Sequence, residues 1–228
     1  MSTTLSGRMV KDGLYEQFAR IGKAVAHPKR IELLDLLCQG ERSVEVLAEA
    51  AAMSVTNTSA HLRVLREARL VSTRKEGTRV FYRLADDAVC DFFVNLRDLA
   101  SDRYAEVDRI VRDYFEARDE LEPVDREELL ERAGQGEVVV LDVRPREEYE
   151  AGHIPGAVSV PLKELRQRMA SLPKGAEIVA YCRGPYCVLA PQALELLRRR
   201  GFTARRLLDG FPEWRRAGLP VAVGEDEG

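Results

Sequence analysis

The stretch Glu177-Ile178-Val179-Ala180-Tyr181-Cys182-Arg183-Gly184-Pro185-Tyr186-Cys187 constrains the fold more than any other. A short apolar run leads into it, and a helix-patterned run from Val188 to Arg200 leads out. A buried strand, a tight Gly-Pro loop and a helix start in that order describe one unit of a parallel α/β sheet. A cysteine at the strand end lies where loop amides and a helix dipole favour an anion. Such settings lower a thiol pKa into the range of roughly 3.5–7.5, so Cys182 is expected to be an activated thiol.

Further runs extend the sheet. Glu137 to Val143 contains Val138-Val139-Val140-Leu141, Val158 and Val160 suggest a second strand, Ile178 to Tyr181 is a third and Ala204 to Leu208 a fourth. A short helix is expected over Asp125 to Arg132. Upstream of about residue 119 the period changes from two to three or four. Leu14, Phe18, Ile21 and Val25 space a helix that ends at His27-Pro28, and a second runs from Pro28 to about Cys38. Ser43 and Ser54 are N-cap residues for two more, Val44 to Ala51 and Val55 to about Ala68. Two short helices around a tight break suggest a helix-turn-helix. Val71 to Lys75 and Thr78 to Leu84, around Glu76-Gly77, read as a hairpin. From Asp87 to Arg118 the pattern Phe93, Leu96, Ala100, Tyr104, Val107, Val111, Tyr114 makes one long helix or two in succession, with an apolar stripe that suits a dimer interface. The expected organisation is therefore two domains: a helical winged helix-turn-helix over residues 1–118, a linker at 119–124 containing Pro123, and an α/β domain over 125–228 that ends in a short acidic tail at Glu225-Asp226-Glu227.

Charge separates the halves. The chain of 228 residues has a formal net charge of −3. Between Ser54 and Arg83, seven basic residues (Arg63, Arg66, Arg69, Arg74, Lys75, Arg79, Arg83) oppose two acidic ones (Glu67, Glu76), a local +5. That excess sits on the second helix of the pair and the hairpin, where phosphates would be contacted. Thr56, Asn57, Ser59 and His61 occupy the first turns of that helix, the positions that reach base edges in a major groove. Arg63 lies beside them, and Arg74, Lys75 and Arg79 could grip the backbone. Double-stranded DNA is the expected partner. No apolar run approaches the ~20 residues of a membrane span and no signal core precedes Leu14. The expectation is a cytoplasmic protein with no membrane partner, whose cysteines are thiols unless they work.

The first half resembles the ArsR-type winged-helix repressors, through Ala26-His27-Pro28-Lys29-Arg30-Ile31 and the run from Ser54 to Ala68. The resemblance implies a homodimer on a palindromic operator, with paired terminal helices and the hairpin as wing. The family's metal-binding Cys-x-Cys has no counterpart in Ser43 to Ala51, and no histidine occurs between His61 and His153, so no metal site is expected. Some relatives sense sulfur through paired thiols. Here Cys38 falls about one helical turn late and Cys90 near the start of the last helix, and both are read as small core residues.

The second half is similar to the rhodanese homology domain. The motifs are Asp142-Val143-Arg144, Glu148-Tyr149-x-x-Gly152-His153-Ile154-Pro155-Gly156-Ala157, Tyr181-Cys182 and Gly210-Phe211-Pro212-Glu213-Trp214. The resemblance implies a persulfide on Cys182, the terminal sulfur cradled by the amides of the loop Arg183 to Cys187 (Arg183, Gly184, Tyr186 and Cys187, with Pro185 shaping the turn), and charge from Arg183. Asp142, Arg144 and His153 would brace the site, and Trp214 would be core. A small sulfur donor or thiol acceptor would be the partner, and no cofactor beyond the covalent sulfur is expected. Phosphatases and arsenate reductases of this fold place an arginine six residues after the cysteine, and here that residue is Val188. Cys187 could resolve the persulfide or pack inward. The leading expectation is a regulator whose persulfide couples sulfur or redox state to DNA binding. The alternatives are a sulfurtransferase whose winged helix serves dimerisation or autoregulation, and an oxyanion sensor without turnover.

Overall fold

The computed structural model describes residues 6–114 and 123–224. The expected acidic tail, most of the expected linker and the helical pattern beyond Tyr114 lie outside them. The chain divides into two compact units, Met1–Phe93 and Val94–Gly228, so the division falls well before residue 118.

The first unit opens with α1 (Gly7–Val25), which starts earlier than the apolar spacing suggested because Ser6 accepts from the Met9 amide and caps it. Helix α2 (Pro28–Cys38) follows with His27 as N-cap and Pro28 in its first turn. Strand β1 (Arg42–Ser43), α3 (Val44–Ala50) and α4 (Val55–Glu67) come next. Ser43 and Ser54 cap α3 and α4 through the Val46 and Asn57 amides, as expected from their sequence positions. Between these helices Ala52 adopts φ 50°, which closes the tight break. Strands β2 (Val71–Glu76) and β3 (Arg79–Leu84) pair antiparallel around Gly77, whose φ of 57° suits a two-residue hairpin turn. β1 adds to the other edge of β3, an element too short to announce itself in the sequence. Leu33, Leu47, Leu62 and Leu65 are fully buried at the centre.

The apolar stripe after Asp87 forms two helices, α5 (Asp87–Arg103) and α6 (Ala105–Tyr114), with Tyr104 between them. Cys90, in the first turns of α5, forms a disulfide with Cys38 at the end of α2, their Cα atoms 5.5 Å apart. This corrects the expectation of two separate packing thiols. Both are buried as core residues are, but the fold of α2 against α5 brings together two positions 52 residues apart, which no local pattern encodes.

In the second unit, α7 (Arg126–Gly134), capped by Asp125, leads to β4 (Val138–Asp142). Helix α8 (Arg146–Ala151), β5 (Val158–Ser159), α9 (Leu165–Arg168), β6 (Glu177–Tyr181), α10 (Leu189–Arg198), β7 (Ala204–Arg206) and α11 (Phe211–Arg216) complete it. The strands form one parallel sheet in the order β5-β4-β6-β7. Alternation along β6 divides the core. Ile178, Ala180 and Cys182 join the cluster that includes Ala190, Ala193, Leu194 and Leu197 of α10. Val179 and Tyr181 join Tyr149, Phe211 and Trp214 on the other face. The period-two rule thus sends Cys182 towards the start of α10.

Reducing the Cys38–Cys90 bridge, or replacing Cys90 by Ser, is expected to destabilise the first unit by about 2–4 kcal/mol. Chemical denaturation with and without reductant measures this. A midpoint that does not move contradicts the bridge.

Candidate functional site

On the first unit the basic cluster lies where the charge pattern put it. Thr56 and Asn57 are exposed in the first turn of α4, Ser59 is half-buried, and Arg63 is exposed one turn on. His61 is placed differently from its exposed neighbours. Its ring lies 4.4 Å from that of His27, and burial, then the charges of His27 and Arg30, push its pKa down. Arg74, Lys75 and Arg79 are exposed on the hairpin. Arg74 is held by Glu41 at 2.7 Å and Glu76 at 2.6 Å and lies over the Phe81 ring, so a phosphate would compete with two carboxylates for it.

On the second unit the site is assembled by two buried ion pairs. Asp142 ends β4 and Arg144 follows it. Both side chains are fully buried, their closest N–O contact is 2.6 Å, and Asp142 also accepts from the Arg144 amide at 2.9 Å. The Arg144 guanidinium donates to the Gly152 carbonyl and stacks over Phe211. Its proton is held more firmly than in water, because the neighbouring Asp142 carboxylate outweighs the burial that opposes charge. His153 stacks on Tyr149 with ring centroids 3.6 Å apart, and its Nδ1 lies 2.8 Å from the Tyr149 carbonyl. Beside this pair, the buried carboxylate of Glu148 receives Arg183 in a fork, with contacts of 2.6–3.1 Å. Arg183 therefore turns to Glu148 within the fold. Glu148 belongs to a quoted motif, yet nothing in its local sequence marks it as the partner of a loop arginine 35 residues on.

The loop itself is compact. The Phe211 amide donates to the Cys182 carbonyl at 3.1 Å, and the Cys187 amide to the Gly184 carbonyl at 3.1 Å. The Cys187 amide thus closes a turn and is not among those aimed at Cys182. The Cys182 thiol, itself buried, donates to the carbonyls of Cys187 at 3.6 Å and Gly184 at 3.9 Å. Burial pushes its pKa well up, the hydrogen-bonded Cys187 sulfur adds to this, and the Ala190 and Gly184 amides only partly oppose it. The expectation of a lowered Cys182 pKa is corrected, because the sulfur is enclosed by apolar core and a second sulfur. The thiol pulled down is Cys187, which takes a hydrogen bond from Cys182, amides of Leu189 and Arg183, and the Arg183 charge.

Gly210 forms the wall behind the loop. A Cβ built there would stand 2.2 Å from the Gly184 amide nitrogen and 2.4 Å from the Arg183 carbonyl carbon. Glu213, one helical turn on, accepts from the Gly210 amide at 3.0 Å and from Arg97 of α5 at 2.6 Å. Arg97 also lies over the Tyr186 ring, and Ser101 of α5 is hydrogen-bonded to the Tyr186 hydroxyl. The rear half of α5 thus touches the loop inside the second unit. Sequence reasoning missed Arg97, Ser101 and Glu213 in this role. The Gly-Phe-Pro-Glu run does carry a capping signal for Glu213, whereas Arg97 and Ser101 carry none.

Residues 27–73 match the family model described as bacterial regulatory protein, arsR family, and residues 125–217 match the rhodanese-like domain. The HTH-type transcriptional regulator Rv0324 of Mycobacterium tuberculosis is 46% identical over 96% of each chain. The chain belongs to the ArsR-family regulators that carry a rhodanese-like domain. A protein named sulfurtransferase from Allochromatium vinosum is 33% identical over 45% of this chain and 95% of its own. The homodimeric winged helix-turn-helix DNA-binding domain of a possible ArsR-family regulator from Mycobacterium bovis is 41% identical, covers 45% of this chain and 93% of that one, and superposes with a TM-score of 0.41. The chain is accordingly a DNA-binding regulator of ArsR type.

Gly210→Ala is expected to displace the Cys182 loop, since the obstacle is backbone, at a cost of about 1–3 kcal/mol. Asp142→Asn leaves the buried Arg144 without its counter-charge and is expected to cost about 3–5 kcal/mol. Thermal or denaturant unfolding measures both. Wild-type stability in either variant contradicts the packing described.

Proposed function

We propose that this regulator takes a sulfane sulfur atom onto Cys182 and that the modified loop changes the affinity of its homodimer for operator DNA. The carrying observation is the grip of α5 on the loop. Arg97 holds Glu213, which caps the helix behind the loop, and Ser101 holds Tyr186 within it. An added sulfur atom must be accommodated beside a buried Cys182 between Gly184 and the α10 amides. A loop that shifts to admit it moves Tyr186 against α5, and α5 begins at Asp87 beside the hairpin and carries the Cys90 bridge in its first turns.

Dimerisation is supported by apolar side chains left exposed on α1. Met9, Leu14, Tyr15 and Phe18 are each more than half exposed. A monomer seldom leaves such a stripe open, and a second copy of the chain would cover it. Sulfur loading follows ordinary thiol chemistry. With thiosulfate as donor, the Cys182 thiolate attacks the sulfane sulfur, the S–S bond of the donor breaks, and sulfite leaves with the bonding pair. The backbone amides of Gly184 and Ala190, which favour charge on Cys182, are the proposed donors to the new anion. The absence of an arginine at Val188 argues against a tetrahedral oxyanion as ligand.

A sulfurtransferase in which sulfur passes to an acceptor is the second reading, favoured by the likeness of this half to the protein named sulfurtransferase. The two separate in one experiment. The full chain is treated anaerobically with thiosulfate or polysulfide, and intact mass and operator affinity are followed together. Wild type is expected to gain one sulfur, at least transiently, that Cys182→Ser does not, with operator affinity changed by at least about fivefold. Sulfur uptake with unchanged affinity sinks the switch and favours the transferase. Arg97→Ala combined with Tyr186→Phe is expected to load sulfur normally while the affinity ratio between loaded and unloaded protein falls towards one. An undiminished ratio in that variant removes α5 from the route.

A further inference from the structure

We infer that Cys187 is a second reacting thiol, which attacks a persulfide on Cys182, releases sulfide and leaves a Cys182–Cys187 disulfide. This rests on the persulfide reading above and goes beyond it by giving the loaded state a built-in end.

The geometry carries the inference. The Gly184–Cys187 turn folds the chain back on itself, so the last residue of the loop returns to the first. The Cys182 sulfur lies 3.6 Å from the Cys187 carbonyl, Cys187 packs against the core cluster that contains Cys182, and neither cysteine is engaged in a disulfide. Cys187 is only partly buried, whereas Cys182 is closed in. An incoming thiolate from Cys187 is therefore adjacent to the inner sulfur of a persulfide, the atom that must be attacked for sulfide to leave. Cys187 sits at the entry to α10, with the amides of Arg183 and Leu189 directed at its sulfur and the Arg183 charge nearby. These surroundings favour the thiolate, the form that attacks. A cysteine that only packs would need none of them, and a helix start offers many small residues that fill the same space.

The step balances without an outside oxidant. The Cys187 thiolate forms a bond to Cys182 Sγ, and the bond from Cys182 Sγ to the outer sulfur breaks. The outer sulfur takes the electron pair and a proton and leaves as hydrosulfide. The sulfane sulfur is reduced by two electrons and the two cysteines are oxidised by two. A dithiol reductant returns the pair to its starting state. Thiosulfate or polysulfide thus becomes a transient signal, converted from persulfide to disulfide within the loop that contacts α5.

The test uses the full chain, polysulfide without oxygen, and three readings: sulfide released per chain, intact mass, and peptide mapping without reduction. Wild type is expected to release about one sulfide per loaded chain and to yield a Cys182–Cys187 cross-link. Cys187→Ser and Cys187→Ala are expected to keep the added sulfur on Cys182 at least about tenfold longer and to form no cross-link. Wild type that holds its added sulfur as long as these variants, with no cross-link, overturns the inference and leaves the persulfide reading intact. If neither wild type nor the variants take up sulfur on Cys182, the persulfide reading fails and the inference fails with it.

Discussion

The rhodanese-like half depends on one buried ion pair. Asp142 and Arg144 lie at the end of the central strand with no solvent contact, and charges so placed are tolerated only when paired and hydrogen-bonded. Asp142 satisfies the guanidinium and the Arg144 amide, and the guanidinium reaches the Gly152 carbonyl and the Phe211 ring. One pair thereby ties the end of β4 to the segment that follows α8 and to the start of α11. Phe211 in turn holds the Cys182 carbonyl through its amide. The Cys182 loop is positioned by a rigid frame rather than by its own sequence alone.

A second pair extends this frame to the loop. Arg183 could have faced a substrate, but Glu148 is buried and needs a cation, so the guanidinium folds inward. The charge still acts on Cys187 through space. The two thiols then differ by surroundings alone. Cys182 continues the apolar face of β6 and is closed off from water, whereas Cys187 lies at a helix entry among amides. Desolvation raises one thiol pKa and donors lower the other.

Much of the architecture was legible. Period-four spacing, serine caps and the Gly77 turn located the helices and hairpin of the first unit, and apolar runs located the four parallel strands. The basic excess fell on exposed faces of α4 and the hairpin. Apart from the two-residue strand β1, the illegible parts are long-range. The Cys38–Cys90 bridge, the Glu148–Arg183 fork and the Arg97–Glu213 contact join residues separated by 52, 35 and 116 positions. Local propensity carries no record of such pairings. The Cys182 environment was misjudged for a related reason: the strand-to-helix motif indicates amides and a dipole, but enclosure by α10 and a neighbouring sulfur is a property of the packed core.

The amino-acid sequence by itself determined two units of different periodicity, a basic winged helix, and a six-residue cysteine loop followed by Val188. Those follow from side-chain spacing and residue type, which are local. Tertiary structure alone decided which cysteine carries the lowered pKa, which carboxylate receives Arg183, and which helix touches the loop. Each of these depends on desolvation and on distances between distant segments, and both come into being only when the core closes.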